Sequence, residues 1–487
     1  MTRIGERVLA VITSQSANDI LAVDTRTPNV ALMLDDARFI ADVLLAEGFE
    51  LLNFHPIAIS FAGTRAMYER VFGLHLQNRT FVGGRGRQVD GFDIASGHEH
   101  RLSVLPPAFE GRAGRMAIAR PPRLIDDASA PMRDVAAADL PVWSLSDELA
   151  ISIWADGTGA PRTTGHGVVA AQIGTGHYRH RFFSERGYRV LPTLLGPGQL
   201  HPQRDDHGHG TGEAACLFGA APDIRLRPVK GLLDPVGDFL MTVDSAPAPD
   251  LIINSWGYDI DHGSWDELEQ TDCNLHHYLR ILEAAIAFAT ARGVVVCAAA
   301  PNGWKSFPAC HPDVIAIGAA SKGRAAQRTS MNFGKSCLYP GRMVPDLWSD
   351  AAKSVRTGLD LIGCTHPAQP GSSLGRPGFH GGYADEGFAW CDIEQAASPL
   401  AAGRLALLLE QHRGLSPSTF KAMVTDVGAT NGTDARPIAG TPDVGGLEPA
   451  GMDRARIETS STTSDTLAKL ASERAANDGQ AIGSLAS

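Results

Sequence analysis

The sequence predicts an α/β protein in two parts: a small N-terminal unit of order β-α-β-β-α-β, then a large parallel sheet with helices on both faces. Three observations carry this expectation. Short, largely apolar runs recur between Val168 and Ala319 with helical segments among them, the pattern of strands buried on both sides of a parallel sheet. Residues 7–82 alternate extended and helical patterns over lengths that suit a split βαβ sandwich. The chain has 487 residues, which exceeds one ordinary core and calls for roughly two or three units.

In the N-terminal part, Val8 to Thr13 is an apolar strand. Leu32 to Glu47 carries apolar residues at helical spacing and stops at Gly48. Leu51 to Phe61 is extended, with Pro56 marking a turn or edge. Thr64 suits the N-cap of a short helix through Phe72, closed by Gly73. Leu74 to Phe81 then completes the order as a strand. Residues 83–141 lose the periodicity and are dominated by Gly, Arg, Pro and Ala. Their later part, 107–141, is expected to be a linker crossing the surface. The expected organisation is a domain over 1–106, this linker, a large domain over 142–452 and a flexible tail over 453–487. The tail is rich in Ser, Thr, Ala and Asp, with a short helix around Thr466 to Ala475.

In the large domain, Val168 to Ile173, Ile224 to Val229, Leu251 to Asn254, Val294 to Ala299 and Val314 to Ala319 are the strand candidates. Ile281 to Ala291 and Ser398 to Gln411 have the length and composition of helices.

The net charge of −11 argues against nucleic acid or an anionic membrane as the main partner, because both favour a basic surface. No window approaches the roughly 18 uninterrupted apolar residues of a membrane span. The first residues lack an apolar segment of signal-peptide length, so a cytoplasmic protein is expected. The seven cysteines are odd in number and widely spaced, with no CxxC pair. They are expected to be free, mostly buried thiols.

The motifs follow one another in a telling order. Asp206-His207-Gly208-His209-Gly210-Thr211-Gly212 precedes Glu213-Ala214-Ala215-Cys216, where a helix should begin. Gly219-Ala220-Ala221-Pro222 leads into Ile224 to Lys230, and Pro249-Asp250 leads into Leu251 to Gly257. Next come Gly293 to Gly303, Pro312 to Ala319, Ala397-Ser398-Pro399-Leu400-Ala401-Ala402-Gly403, Leu415-Ser416-Pro417 and Gly445 to Ala450. Together they resemble the ordered signatures of the subtilases, serine peptidases with a subtilisin-like fold, over about residues 145–452. Ile57 to Leu76 is similar to the ferredoxin-like prodomain of sedolisins and subtilases, a folding chaperone and inhibitor.

The resemblance implies a serine-protease site, in which a base takes the proton of a nucleophile, an acid orients the base and dipoles stabilise an oxyanion. His209 falls on the base position; taken alone it is also readable as a polar residue at a helix start. Asn302 falls on the oxyanion position, though Pro301-Asn302-Gly303 is equally good turn chemistry. The acid position is Gly174, which has no carboxylate; Asp156 is the alternative acid. The nucleophile, four residues before Pro399, is Gln395, whose amide cannot attack an acyl group. Ser398 is the family's helix-packing serine, and Cys391 is a remote substitute nucleophile. Ser255, Trp256 and Gly257 fall on the peptide-binding segment, whose backbone offers a sheet edge.

His177, His180, His201, His207 and His209 with Asp205 and Asp206 could in principle ligate a metal. No HExxH pattern is present, and the subtilase motif already accounts for part of the cluster, so neither metal nor cofactor is expected. The reading is a pseudoprotease: a subtilisin-like domain with an incomplete triad that binds a peptide or protein segment as adaptor or regulator, with its prodomain attached. The alternative is an active serine-type endopeptidase whose acid and nucleophile are Asp156 and a serine near Ser372-Ser373.

Overall fold

The computed structural model describes residues 7–17, 30–82, 88–98, 101–102, 104–124, 163–205, 207–300, 305–321, 334–352, 362–364, 388–390 and 393–429. The N-terminal unit holds β1 (Arg7–Ser14), α1 (Val30–Ala46), β2 (Glu50–Phe54), β3 (Ala58–Thr64) and α2 (Arg65–Phe72). Gly73 closes α2 at φ +66°, a left-handed conformation that glycine adopts freely. β4 (Leu76–Val82) and β5 (Gln88–Ile94) pair only with each other, as a hairpin.

The fourth strand of the N-terminal sheet is β6 (Ala113–Ile118), antiparallel to β1, in the order β2-β3-β1-β6. This corrects two expectations. The strand at residues 74–81 does not join the sheet, and the stretch expected to be a linker from 107 onward supplies the sheet strand instead. Ala113-Gly114-Arg115-Met116-Ala117-Ile118 is short and interrupted by Gly and Arg, so its alternation is too weak to read before its partner is known. Residues 125–141 of the expected linker, residues 142–162 of the expected large domain and the tail lie outside the described residues.

The large domain is an eight-stranded sheet. In chain order its strands are β8 (Val169–Gly174), β9 (Arg189–Val190), β10 (Leu194–Leu195), β11 (Arg225–Lys230), β12 (Leu251–Asn254), β14 (Val295–Ala299), β16 (Val314–Ser321) and β17 (Leu347–Ala352). The spatial order is β10-β11-β8-β12-β14-β16-β17, with β9 also on β11, and all pairings are parallel. Every residue of β8, β12 and β14 is buried, as a sheet covered on both faces requires. One face packs on α3 (His209–Ala220) and α7 (Ile393–Gln411), through Phe218, Ala401 and Leu405. The close approach of those two helices depends on Gly403, where a Cβ would sit 2.4 Å from that of Ala220. The other face packs on α4 (Pro235–Val243) and α6 (Cys273–Ala291), through Phe239, Tyr278 and Leu282.

The core under this second face continues into the N-terminal unit, taking in Val11, Met33, Ile57, Ala58 and Ala117. The unit has its own second core around Phe49, Phe61, Tyr68 and Phe72. Ile118 donates its backbone N–H to Asn274 at 2.8 Å, and Asn274 donates back to Ile118 at 3.2 Å. Ser60 donates to Asp234, which also accepts from Tyr278 at 2.9 Å. Arg120 joins Asp272 of α6 to Asp93 of the hairpin, at 2.6 and 2.9 Å. The two parts are therefore seated by shared apolar core and by buried polar pairs.

No helix among the described residues is long and apolar enough to cross a membrane.

Candidate functional site

The chain leaves β8 for β11 on one side of the sheet and reaches β12 on the other, so the strand order reverses between β8 and β12. Ligands of open α/β sheets bind at the carboxyl ends of strands beside such a switch point. Gly174 ends β8 there, Asn254 ends β12, and α3 begins at His209. Asp205 fixes that helix start: its carboxylate accepts the N–H groups of Gly208 and Thr211 at 2.8 Å each, and the Thr211 hydroxyl at 2.7 Å. A carboxylate among orphan helix N–H groups is the capping arrangement. Gly210 must be glycine, because a Cβ would lie 2.3 Å from the carbonyl oxygen of Gly176.

The His209 imidazole is buried. Its Nδ1 lies 3.4 Å from Glu213 Oε2, one helical turn along α3. Gln172 of β8 donates to the same Glu213 oxygen at 2.8 Å and to the Gly210 carbonyl at 3.1 Å. Burial raises the Glu213 pKa, while His209, Ser255 and Gln172 all pull it back down. A carboxylate at Nδ1 is what a catalytic histidine needs to hold its tautomer. The sequence reading missed Glu213, because it considered as acid only the end of β8 and Asp156, and not the helix that carries His209. The available signal was a His and a Glu at i and i+4, which share one helix face.

At Gly174 a Cβ would meet nothing within 4 Å, so the strand position expected to hold the acid is open space. Gln395 lies in the first turn of α7. Ser398, further along that helix, is buried and its hydroxyl has no hydrogen-bond partner. Asn302, Asp156, Cys391, Ser372 and Ser373 lie outside the described residues.

The peptide-binding segment divides by atom. β13 (Trp256–Asp259) presents its backbone as a strand edge, which is paired antiparallel with β7 (Arg123–Leu124): Trp256 opposite Leu124 and Gly257 opposite Arg123. The Trp256 side chain lies fully buried and donates Nε1–H to the Ile173 carbonyl at 3.1 Å. Trp256→Ala is expected to destabilise the fold by about 3–5 kcal/mol, as for large buried aromatics, read as a fall in the urea midpoint at unchanged slope.

Part of the His-rich stretch has a local structural role. Asp205 is a cap, and His180 Nδ1 accepts the Phe182 N–H at the start of a short helix. His177 is held neutral by burial, its pKa lowered to about 4.

The chain is similar in fold to several solved structures. The Staphylococcus aureus epidermin leader peptide processing serine protease is 13% identical, with a TM-score of 0.51 over 86% of this chain and 92% of its own. A point mutant of that protease gives 0.53 over 89% and 97% at the same identity. Fervidolysin, a keratinolytic enzyme of Fervidobacterium pennivorans related to subtilisin, is 13% identical with a TM-score of 0.47 over 90% of this chain, which spans only 61% of fervidolysin. No curated protein sequence matches the chain. The model of the subtilase family matches residues 165–437. That match covers more than half of the chain and contains the sheet, His209 and α7, and the protein therefore belongs to the subtilase family.

Proposed function

We propose that this protein is a catalytically degenerate subtilase, a pseudoprotease that holds a peptide or protein segment in its cleft as an adaptor or regulator. The pairing of Arg123-Leu124 along Trp256-Gly257 carries the reading. The edge on which a protease would lay its substrate is occupied by this chain's own segment, where the N-terminal unit leads toward residue 125. With Gln395 in place of the serine, a strand laid there is bound without being cut. The N-terminal unit acts as a retained prodomain, tied down by Arg120, Asn274 and Ser60. A cytoplasmic setting is consistent with the free cysteines, of which Cys297 and Cys310 are buried with thiol pKa values pushed up, for Cys310 to about 12. They are inert thiols rather than reactive ones.

The His209–Glu213 pair favours a second reading, an active peptidase with an acid moved from strand to helix and its serine elsewhere in the chain. The intact mass of fresh protein and of His209→Ala separates the two. Full-length mass for both is expected. Cleavage of the wild type between residues 83 and 145, abolished in the variant, overturns the pseudoprotease reading.

A further inference from the structure

We propose that Glu269, His276 and His277 form a binding site for a divalent transition-metal ion, on the α6 face that carries the N-terminal unit. Glu269 lies in α5 (Trp265–Thr271), and the two histidines lie near the start of α6. One ligand atom from each residue falls in a group within 4.8 Å of one another, the one such group among the described residues. Donors about 2.0–2.1 Å from a tetrahedral ion stand about 3.3 Å apart. The remaining closure falls mainly to Glu269, which is exposed and free to change rotamer, while both imidazoles are buried.

The two histidines differ in a way that suits ligation. His277 donates Nδ1–H to the Met116 carbonyl of β6 at 3.0 Å, which leaves the Nε2 lone pair as its ligand atom and fixes the ring. Such a carbonyl is the usual outer partner of a metal-bound imidazole. His276 is 5% exposed, and its Nδ1 has no hydrogen-bond partner. A buried imidazole nitrogen left this way costs free energy unless something fills the vacancy. Arg115 and Arg280 oppose added positive charge here, and Glu269 and Glu283 offset them.

Two nitrogens and one carboxylate oxygen suit zinc, cobalt or nickel rather than calcium or magnesium. Through His277 and Met116 the ion would brace α6 against the N-terminal sheet.

Titration of the full-length chain with Co2+, followed by its visible absorption, tests the site. One equivalent with the spectrum of low-coordinate cobalt is expected. Affinity should fall at least tenfold in Glu269→Gln, whose exposed position leaves the fold intact, and binding should be lost in His276→Ala. His201→Ala and His75→Ala should bind as the wild type does. Absence of saturable uptake overturns the proposal, as does unchanged affinity in Glu269→Gln or loss of binding in His201→Ala.

Discussion

Gln395→Ser is expected to convert this protein into a slow hydrolase, and Glu213→Gln in that background is expected to remove most of the gained activity. The first half follows from chemistry: His209 stands at the start of α3 beside the crevice, and an amide at residue 395 offers nothing for it to deprotonate. The second half follows from geometry. Glu213 Oε2 is 3.4 Å from His209 Nδ1 and is held by Gln172, which places a buried carboxylate beside the imidazole, though with no hydrogen bond to it among the described residues. Replacing such an acid by its amide costs on the order of 10⁴ in turnover. The measurement is kcat on a fluorogenic peptide for the single and double variants. Equal rates would mean that Glu213 only fills space. No activity in either would show that residue 395 does not stand opposite His209.

Arg120→Ala is expected to produce the largest loss of stability of any change at the junction of the two parts. The guanidinium is buried, donates to both Asp272 oxygens at 2.6 and 3.0 Å and to Asp93 at 2.9 Å, and its own carbonyl accepts the Tyr258 hydroxyl. Removing it leaves the Asp272 carboxylate without its paired cation and Asp93 with Arg79 alone, and breaking such a buried pair costs about 3–5 kcal/mol. Burial alone would raise the Asp272 pKa, but the bonds and charge of Arg120 outweigh it and hold the carboxyl below its usual range. A depressed folded-state pKa contributes stability above the unfolded value of about 3.9 and loses it as pH falls through the folded one. The wild type should therefore lose more stability than Arg120→Ala between about pH 5 and pH 2. Urea unfolding of both proteins across that range checks the sign. A difference between them that stays constant with pH would mean that the pair contributes no linkage.

Much of the large domain was legible before any coordinates. Leu251 to Asn254 is a strand over the very residues expected, and the runs beginning at Val168, Ile224, Val294 and Val314 shift by a residue or two at most at their starts. Strands buried on both faces write themselves as apolar runs, and the glycines and prolines around them mark their ends. The capped helix from Thr64 to Gly73 was equally legible, because caps are local chemistry. The sequence by itself also determined the family, since that depends on residue identity at motif positions set in order along the chain.

Only the tertiary structure decided the rest. Ala113–Ile118 became a strand because β1 offered it an edge, and no local pattern states which edge will be free. The burial of the Trp256 ring and the pairing of its backbone with Leu124 were likewise settled by packing, since neither partner is near it in the chain. Glu213 looked like one more helix residue until β8 brought Gln172 against it. Helical spacing states which side chains share a face, whereas the hydrogen-bond partners and burial that turn a shared face into a site come from segments distant in the chain.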